Sequence, residues 1–105
     1  MDEKLLIEIR QYLLLKTKIN YFKDIRRTAD NLLVTCPFHK GGQERKPSAG
    51  IRITETPSTP VGMFHCFTCG ETMTLDNVLK QLLGPLYNED EVEARFRFEN
   101  IIYTK

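Results

Sequence analysis

All three cysteines and both histidines of this 105-residue chain lie between positions 36 and 69. They form two short knuckles, Cys36-Pro37-Phe38-His39 and Cys66-Phe67-Thr68-Cys69, with His65 immediately before the second. Structural zinc takes four thiolate or imidazole ligands in a tetrahedron, and two ligands separated by two residues on a tight turn can both reach one ion. Cys36, His39, Cys66 and Cys69 supply two such pairs with 26 residues between them. That gap is long for a zinc finger but natural where each knuckle caps a different part of one small sheet. His65 competes with His39 for the fourth position. Cys66 must face the metal, and neighbouring side chains of an extended strand point to opposite faces, so alternation turns His65 away. Reading the cysteines as small buried hydrophobes and His39 as a surface histidine leaves the two matched spacings unexplained.

Catalytic uses of the same residues fit less well. A catalytic zinc keeps one position open for water and wants a carboxylate base nearby, whereas four protein ligands close this site and no H-E-x-x-H or H-x-E arrangement occurs. A sulfur bound to zinc is not a free nucleophile, which also disfavours a cysteine-nucleophile reading of Cys36 or Cys66. Gly41-Gly42 is too short to cradle a phosphate and serves to turn the chain after His39.

The elements that must position the knuckles can be read from periodicity. Leu5, Ile9, Tyr12 and Leu13 form one face of an amphipathic helix, with Asp2 and Glu3 at its start and Lys16 and Lys18 at its end complementing the helix dipole. "YFKDIRR" and "LLVT" are β-rich runs around the polar turn Thr28-Ala29-Asp30-Asn31, a hairpin that delivers Cys36 at its end. "GIRIT" alternates like a half-buried strand, "VGMFHCF" reads as its partner, and Glu55 to Pro60 is a loop with two prolines. Thr74 is a candidate N-cap for a helix with Leu75, Val78, Leu79 and Leu82 on one face, ending at Gly84-Pro85. A last acidic helix spans about 88–99, with Val92, Phe96 and Ile102 as its apolar side. The fold class expected is α+β, a small antiparallel sheet flanked by N-terminal and C-terminal helices, in one domain over 1–105.

A domain of this length buries a limited share of its surface, so a metal staple is physically useful. No apolar run approaches the roughly 20 residues of a spanning helix. The start Met-Asp-Glu-Lys lacks a basic n-region and an apolar signal core, which points to a reducing cytoplasm, where clustered cysteine and histidine mean metal more often than disulfide. Net charge is +1, but it is segregated: residues 1–15 carry −1, residues 16–52 carry +6 and residues 53–105 carry −4. A basic middle between acidic ends suits a polyanionic partner, against the plain alternative of a solvated face.

The order "CPFH", then a basic linker with "KPS", then "FHCFTCG" and a helix resembles the zinc-binding domain of bacterial and phage DNA primases over about residues 16–84. Pro37, Phe38, His65 and Phe67 match that pattern along with the four ligand positions. The resemblance implies that Cys36, His39, Cys66 and Cys69 are the zinc ligands, which favours His39 over His65. It also implies an antiparallel zinc ribbon that contacts single-stranded template and helps select where priming starts, with nucleotide addition done by a separate polymerase domain. Two departures stand out: Ala49 replaces a usual aromatic, and Glu71-Thr72-Met73 replaces a glycine-rich turn. No acidic polymerase or topoisomerase-primase segment is present, so the chain is expected to be non-catalytic. It would act in trans as an accessory subunit of a polymerase or primase, with a helicase as a further partner, or be one domain of a larger primase.

Single strands bind through phosphates on Lys and Arg and through bases stacked on aromatic rings. Arg26, Arg27, Arg45, Lys46 and Arg52 are the phosphate candidates, and Phe67 or Phe64 the stacking candidates, weighed against core packing for both rings. The rival reading is a protein-interaction module with a purely architectural zinc, docking onto a replication polymerase or helicase by its terminal helices. The acidic run Glu89, Asp90, Glu91 and Glu93 favours a protein partner, since it repels nucleic acid. A duplex-reading regulator is weaker, because neither terminal helix is basic enough for a major groove.

Overall fold

The computed structural model describes residues 3–38, 46–54 and 61–96. The chain runs helix α1 (Glu3–Thr17), strands β1 (Ile25–Arg27), β2 (Asn31–Val34), β3 (Ala49–Arg52), β4 (Met63–Cys66) and β5 (Thr72–Thr74), then α2 (Leu75–Leu83), a 3-10 turn (Gly84–Leu86) and α3 (Glu89–Phe96). The five strands form one antiparallel sheet in sequential order β1-β2-β3-β4-β5. The α+β class and the flanking helices agree with expectation.

Strand alternation divides the sheet into two faces. On one face, Leu32, Ile51, Phe64 and Met73 form a cross-strand row, followed by Val34, Ala49 and Cys66, all buried. The helices close this face: α1 contributes Leu6, Ile9, Tyr12 and Leu13, α2 contributes Leu75, Val78, Leu79 and Leu83, and α3 adds Val92 and Phe96. On the other face, the register aligns Arg26, Leu33, Gly50, His65 and Thr72 across all five strands. No helix among the described residues is long and apolar enough to cross a membrane.

Several boundaries differ from the periodic reading. Leu6 is fully buried and Leu5 packs at the margin, because positions 6, 9 and 13 hold the centre of the helical stripe. Tyr21 and Phe22 do not extend β1. Phe22 has φ 55 and a fully buried ring, so the chain reverses there to seat the side chain, and the strand begins at Ile25. The turn of the first hairpin is as read, with Thr28 and Asn31 bonded through backbone and hydroxyl around Ala29 and Asp30. Strand β5 was not expected, since Glu71-Thr72-Met73 reads as a substitute for a turn. Met73 anchors it by packing in the core, and pairing with β4 does the rest. The loop at 55–60, Ile102 and the end of the last helix beyond Phe96 lie outside the described residues.

Thr74 caps α2 as expected, its hydroxyl accepting from the backbone N–H of Asn77 at 3.3 Å. α3 is held to α1 by polar contacts. The Tyr12 hydroxyl donates to Glu91 Oε1 at 2.8 Å, Lys16 Nζ lies 3.2 Å from the same oxygen, and Phe96 packs edge-on to the Tyr12 ring at 5.4 Å. Burial, reinforced by the bond to Glu91, pushes the Tyr12 hydroxyl up to about 12. The Tyr12 hydroxyl, followed by Lys16, holds the Glu91 carboxyl below its ordinary range.

Two stability outcomes follow. Thr74→Ala is expected to lower unfolding free energy by about 1 kcal/mol in urea titration, the usual size of a lost hydroxyl cap. Because Glu91 titrates lower in the folded chain, its contribution is complete above the unfolded value of about 4.3 and fades as pH falls through the folded value. The difference in urea midpoint between the native chain and Glu91→Gln should therefore be largest near neutrality and shrink in acid; a difference that grows in acid would contradict the pairing.

Candidate metal centre

Strands β2 and β4 both pair antiparallel with β3, so they run in the same direction and end at the same edge of the sheet. Cys36 follows two residues after Val34, and Cys66 is the last residue of β4. Val34 and Cys66 belong to the same buried row, so β2 and β4 deliver both sulfurs to the core side of that edge. Cys69 comes from the turn after β4. That turn is closed by Gly70 N–H to Cys66 O at 3.0 Å and Cys66 N–H to Glu71 O at 2.8 Å, with Gly70 at φ 80, a conformation that suits a residue without Cβ.

The three sulfurs all lie within 4.8 Å of one another, and Cys36 Sγ is 3.8 Å from Cys69 Sγ. A tetrahedral ion with metal–sulfur bonds of about 2.3 Å sets its sulfurs about 3.8 Å apart, whereas a disulfide needs about 2.05 Å. The cysteines are free thiols, and their spacing matches shared coordination. The backbone of each knuckle also turns its amides toward sulfur: Phe38 N–H donates to Cys36 Sγ and Cys69 N–H to Cys66 Sγ, each at 3.4 Å. Ser48 Oγ lies 3.6 Å from Cys66 Sγ. Such contacts favour thiolates.

The electrostatics of the cluster are divided. Burial pushes the Cys36 thiol well above its ordinary value. Burial acts the same way on Cys66 but is outweighed there. The Cys69 amide, the Ser48 hydroxyl, the Cys69 thiol and the Thr68 amide bring Cys66 down to about 6. A cluster with one easily formed thiolate and two sulfurs within reach accepts a cation with release of the remaining protons. These residues therefore fit a thiophilic metal ion.

The sequence-derived positions fare differently. Cys36, Cys66 and Cys69 are brought together; His39 and Arg45 lie outside the described residues. His65 is on the opposite sheet face, its Nδ1 hydrogen-bonded to Thr72 Oγ1, and takes no part in the sulfur cluster. Phe64 is fully buried in the core, packed edge-on to Phe38 at 5.6 Å, and is removed from the stacking candidates. Phe67 is 65% exposed. Arg26, Arg27 and Lys46 are exposed and Arg52 half-buried. Arg26 lies on the outer face, where it bonds Asp24 at 3.1 Å, whereas Arg27 stands in line with the core row at the sheet edge. Arg52 donates from Nε to the Thr54 carbonyl at 3.0 Å. Sequence reasoning missed Ser48 and Thr72. The first was present in "KPS" without an assigned role, and the second is recognisable only once β5 is paired with β4.

No family model matches the chain. It is 26% identical over 89 residues to the DNA primase of Enterococcus faecalis, an alignment covering 85% of this chain and 13% of that relative. The chain thus spans only a small part of that relative's length.

Elemental analysis of the purified chain is expected to return about one equivalent of a thiophilic ion, bound through sulfur. Cys66→Ser should abolish that stoichiometry and, because Cys66 sits in the core row, broaden or remove the thermal transition. A metal-free native chain with an unchanged cooperative transition would contradict shared coordination.

Proposed function

We propose that this chain is a non-catalytic zinc module of DNA replication priming that binds single-stranded template and assists primer initiation. It would act in trans beside a polymerase or primase catalytic subunit, or as one region of a longer primase. The observation that carries the reading is the set of three sulfurs within 4.8 Å of one another in a chain similar to part of a DNA primase. Zinc is the ion proposed, with His39, three residues after Cys36, as its fourth ligand. A site closed by three thiolates and one imidazole leaves no position for water, so the ion's role is architectural.

The chain's own residues then supply the binding. The metal edge ties the ends of β2 and β4, and the outer sheet face carries Arg26 and Arg52, with exposed Phe67 beyond the end of β4. Arg27 at the sheet edge and Lys46 before β3 add further positive charge, and Arg45, outside the described residues, is proposed with them. Initiation from two free nucleotides is harder than extension, because no primer stacks on the template, so extra protein contacts must hold template and nucleotides. A rigid sheet with cations and an exposed ring offers those contacts. Nucleotide addition belongs to the partner or to the remainder of a longer chain.

The protein-docking reading is favoured by one observation of its own. Leu14 and Leu15, on the outward side of α1, are 42% and 62% exposed, and a terminal helix with uncovered leucines suits a protein surface. Glu91 counts less toward that reading than its charge implies, since Tyr12 and Lys16 already engage it.

The test mixes the chain with a primase or polymerase catalytic unit, unprimed single-stranded template and nucleotides. De novo primer synthesis should require both proteins and be lost with Cys36→Ser, while extension of a preformed primer persists. Equal synthesis with and without the chain would refute the priming role.

A further inference from the structure

The outer sheet face holds an arrangement around His65 that zinc binding leaves unused. His65 stands in the row Arg26, Leu33, Gly50, His65 and Thr72. Its Nδ1 is tied to the Thr72 hydroxyl from the neighbouring strand, and its ring meets Phe67 edge-to-face, with centroids 5.1 Å apart and planes at 71°. Phe67 is 65% exposed, although burying a phenylalanine is ordinarily favourable. An edge-to-face pair covers at most a single ring face, so the open face of Phe67 stays free for a planar partner.

Three features around this pair bear on what it can hold. Opposite His65 on β3 is Gly50, which adds no side chain to the face, and a Cβ there would come within 3.3 Å of Asn31 Oδ1. Gly50 is itself buried beneath the Asn31 side chain, so Asn31 borders the histidine on that side. With Nδ1 occupied by Thr72, the remaining ring nitrogen, Nε2, has no hydrogen-bond partner among the described residues. The Thr72 hydroxyl can donate or accept, so it holds the ring plane in either tautomer and leaves one hydrogen bond available at Nε2. Phe67 N–H bonds the Ser48 carbonyl at 2.8 Å, which fixes the backbone that carries the exposed ring.

We infer that Phe67 and His65 form a nucleobase clamp, in which a single base stacks on Phe67 while His65 Nε2 hydrogen-bonds its edge and makes the contact base-selective. The inference rests on the template-binding reading above and deepens it: Phe67 contributes affinity for any base, His65 distinguishes bases, and Thr72 is the positioning residue for His65. Stacking alone is tolerant of sequence because every base has a π-face, so selectivity must come from the polar atom beside it.

The test uses the metal-loaded full chain and fluorescence anisotropy with oligo-dT, oligo-dC, oligo-dA and an abasic strand of equal length. The native chain should bind its preferred base about fivefold or more tighter than the abasic strand. It should also separate the bases by roughly two- to tenfold, the range of one net hydrogen bond. Phe67→Leu should reduce every base to abasic affinity. His65→Phe retains a ring against Phe67, so it should keep the gain over the abasic strand while evening out the bases, and Thr72→Val should do the same more weakly. Metal content and melting temperature of the variants, measured in parallel, should match the native chain. A ranking of bases that survives His65→Phe, or native binding as tight to the abasic strand as to the bases, overturns the clamp and leaves template binding standing. Native failure to bind any of the four strands overturns both.

Discussion

Three sulfurs within 4.8 Å of one another cannot all be ionised unless a cation sits among them, and this constraint organises the molecule. Two of the three, Cys36 and Cys66, are fully buried and continuous with the hydrophobic core. Cys66 belongs to the same cross-strand row as Val34 and Ala49, so the cluster is one end of the core rather than an attachment to it. A cation there would neutralise the thiolates, tie β2 to β4 across β3 and close a sheet whose strands have three or four residues each. Strands that short make few ladder bonds. A fixed edge compensates for that shortness.

The sheet then separates two tasks by alternation. Its core face meets α1, α2 and α3 and carries the apolar side chains and the sulfurs. Its outer face carries Arg26, Arg52 and His65, and the exposed ring of Phe67 follows β4. Cys66 and His65, adjacent in the chain, fall on opposite faces, so a residue of the sulfur cluster is rigidly coupled to one that faces outward. For a proposed template-binding surface this coupling is mechanically useful: whatever orders the sulfur edge also orders the ends of the strands that carry the contacts.

The two edges of the sheet are handled differently. β5 runs directly into α2, whose first turn is capped by Thr74, so that edge strand ends after three residues. β1 is short and presents Arg26 and Arg27, and charged side chains on a short edge strand oppose further strand pairing. At the far side of the core, Tyr12, Lys16 and Glu91 lock α3 onto α1, which uses part of the acidic C-terminal run internally.

Read alone, the sequence was sufficient for what depends on local spacing. The turn carrying Cys66 and Cys69, the turn at Thr28 to Asn31, the Thr74 cap, the stop at Gly84-Pro85 and the turning-away of His65 all follow from periods of two or 3.6 and from the residue types that turns and caps require. It could also group Cys36, Cys66 and Cys69 by their chemistry, but it could not set Cys36 at 3.8 Å from Cys69, since that distance needs β2 and β4 to end on the same side of the sheet, flanking β3. Only the tertiary structure decided that Phe64 is core while Phe67 is open, because both follow the same apolar run and differ only in the face and end of the strand they occupy. β5 likewise formed through pairing rather than propensity: three residues become a strand when a neighbour supplies the ladder and the core accepts Met73. Thr72 and Glu91 acquired partners 7 and 79 residues away, and contacts made across such folds leave no periodic trace in the chain that forms them.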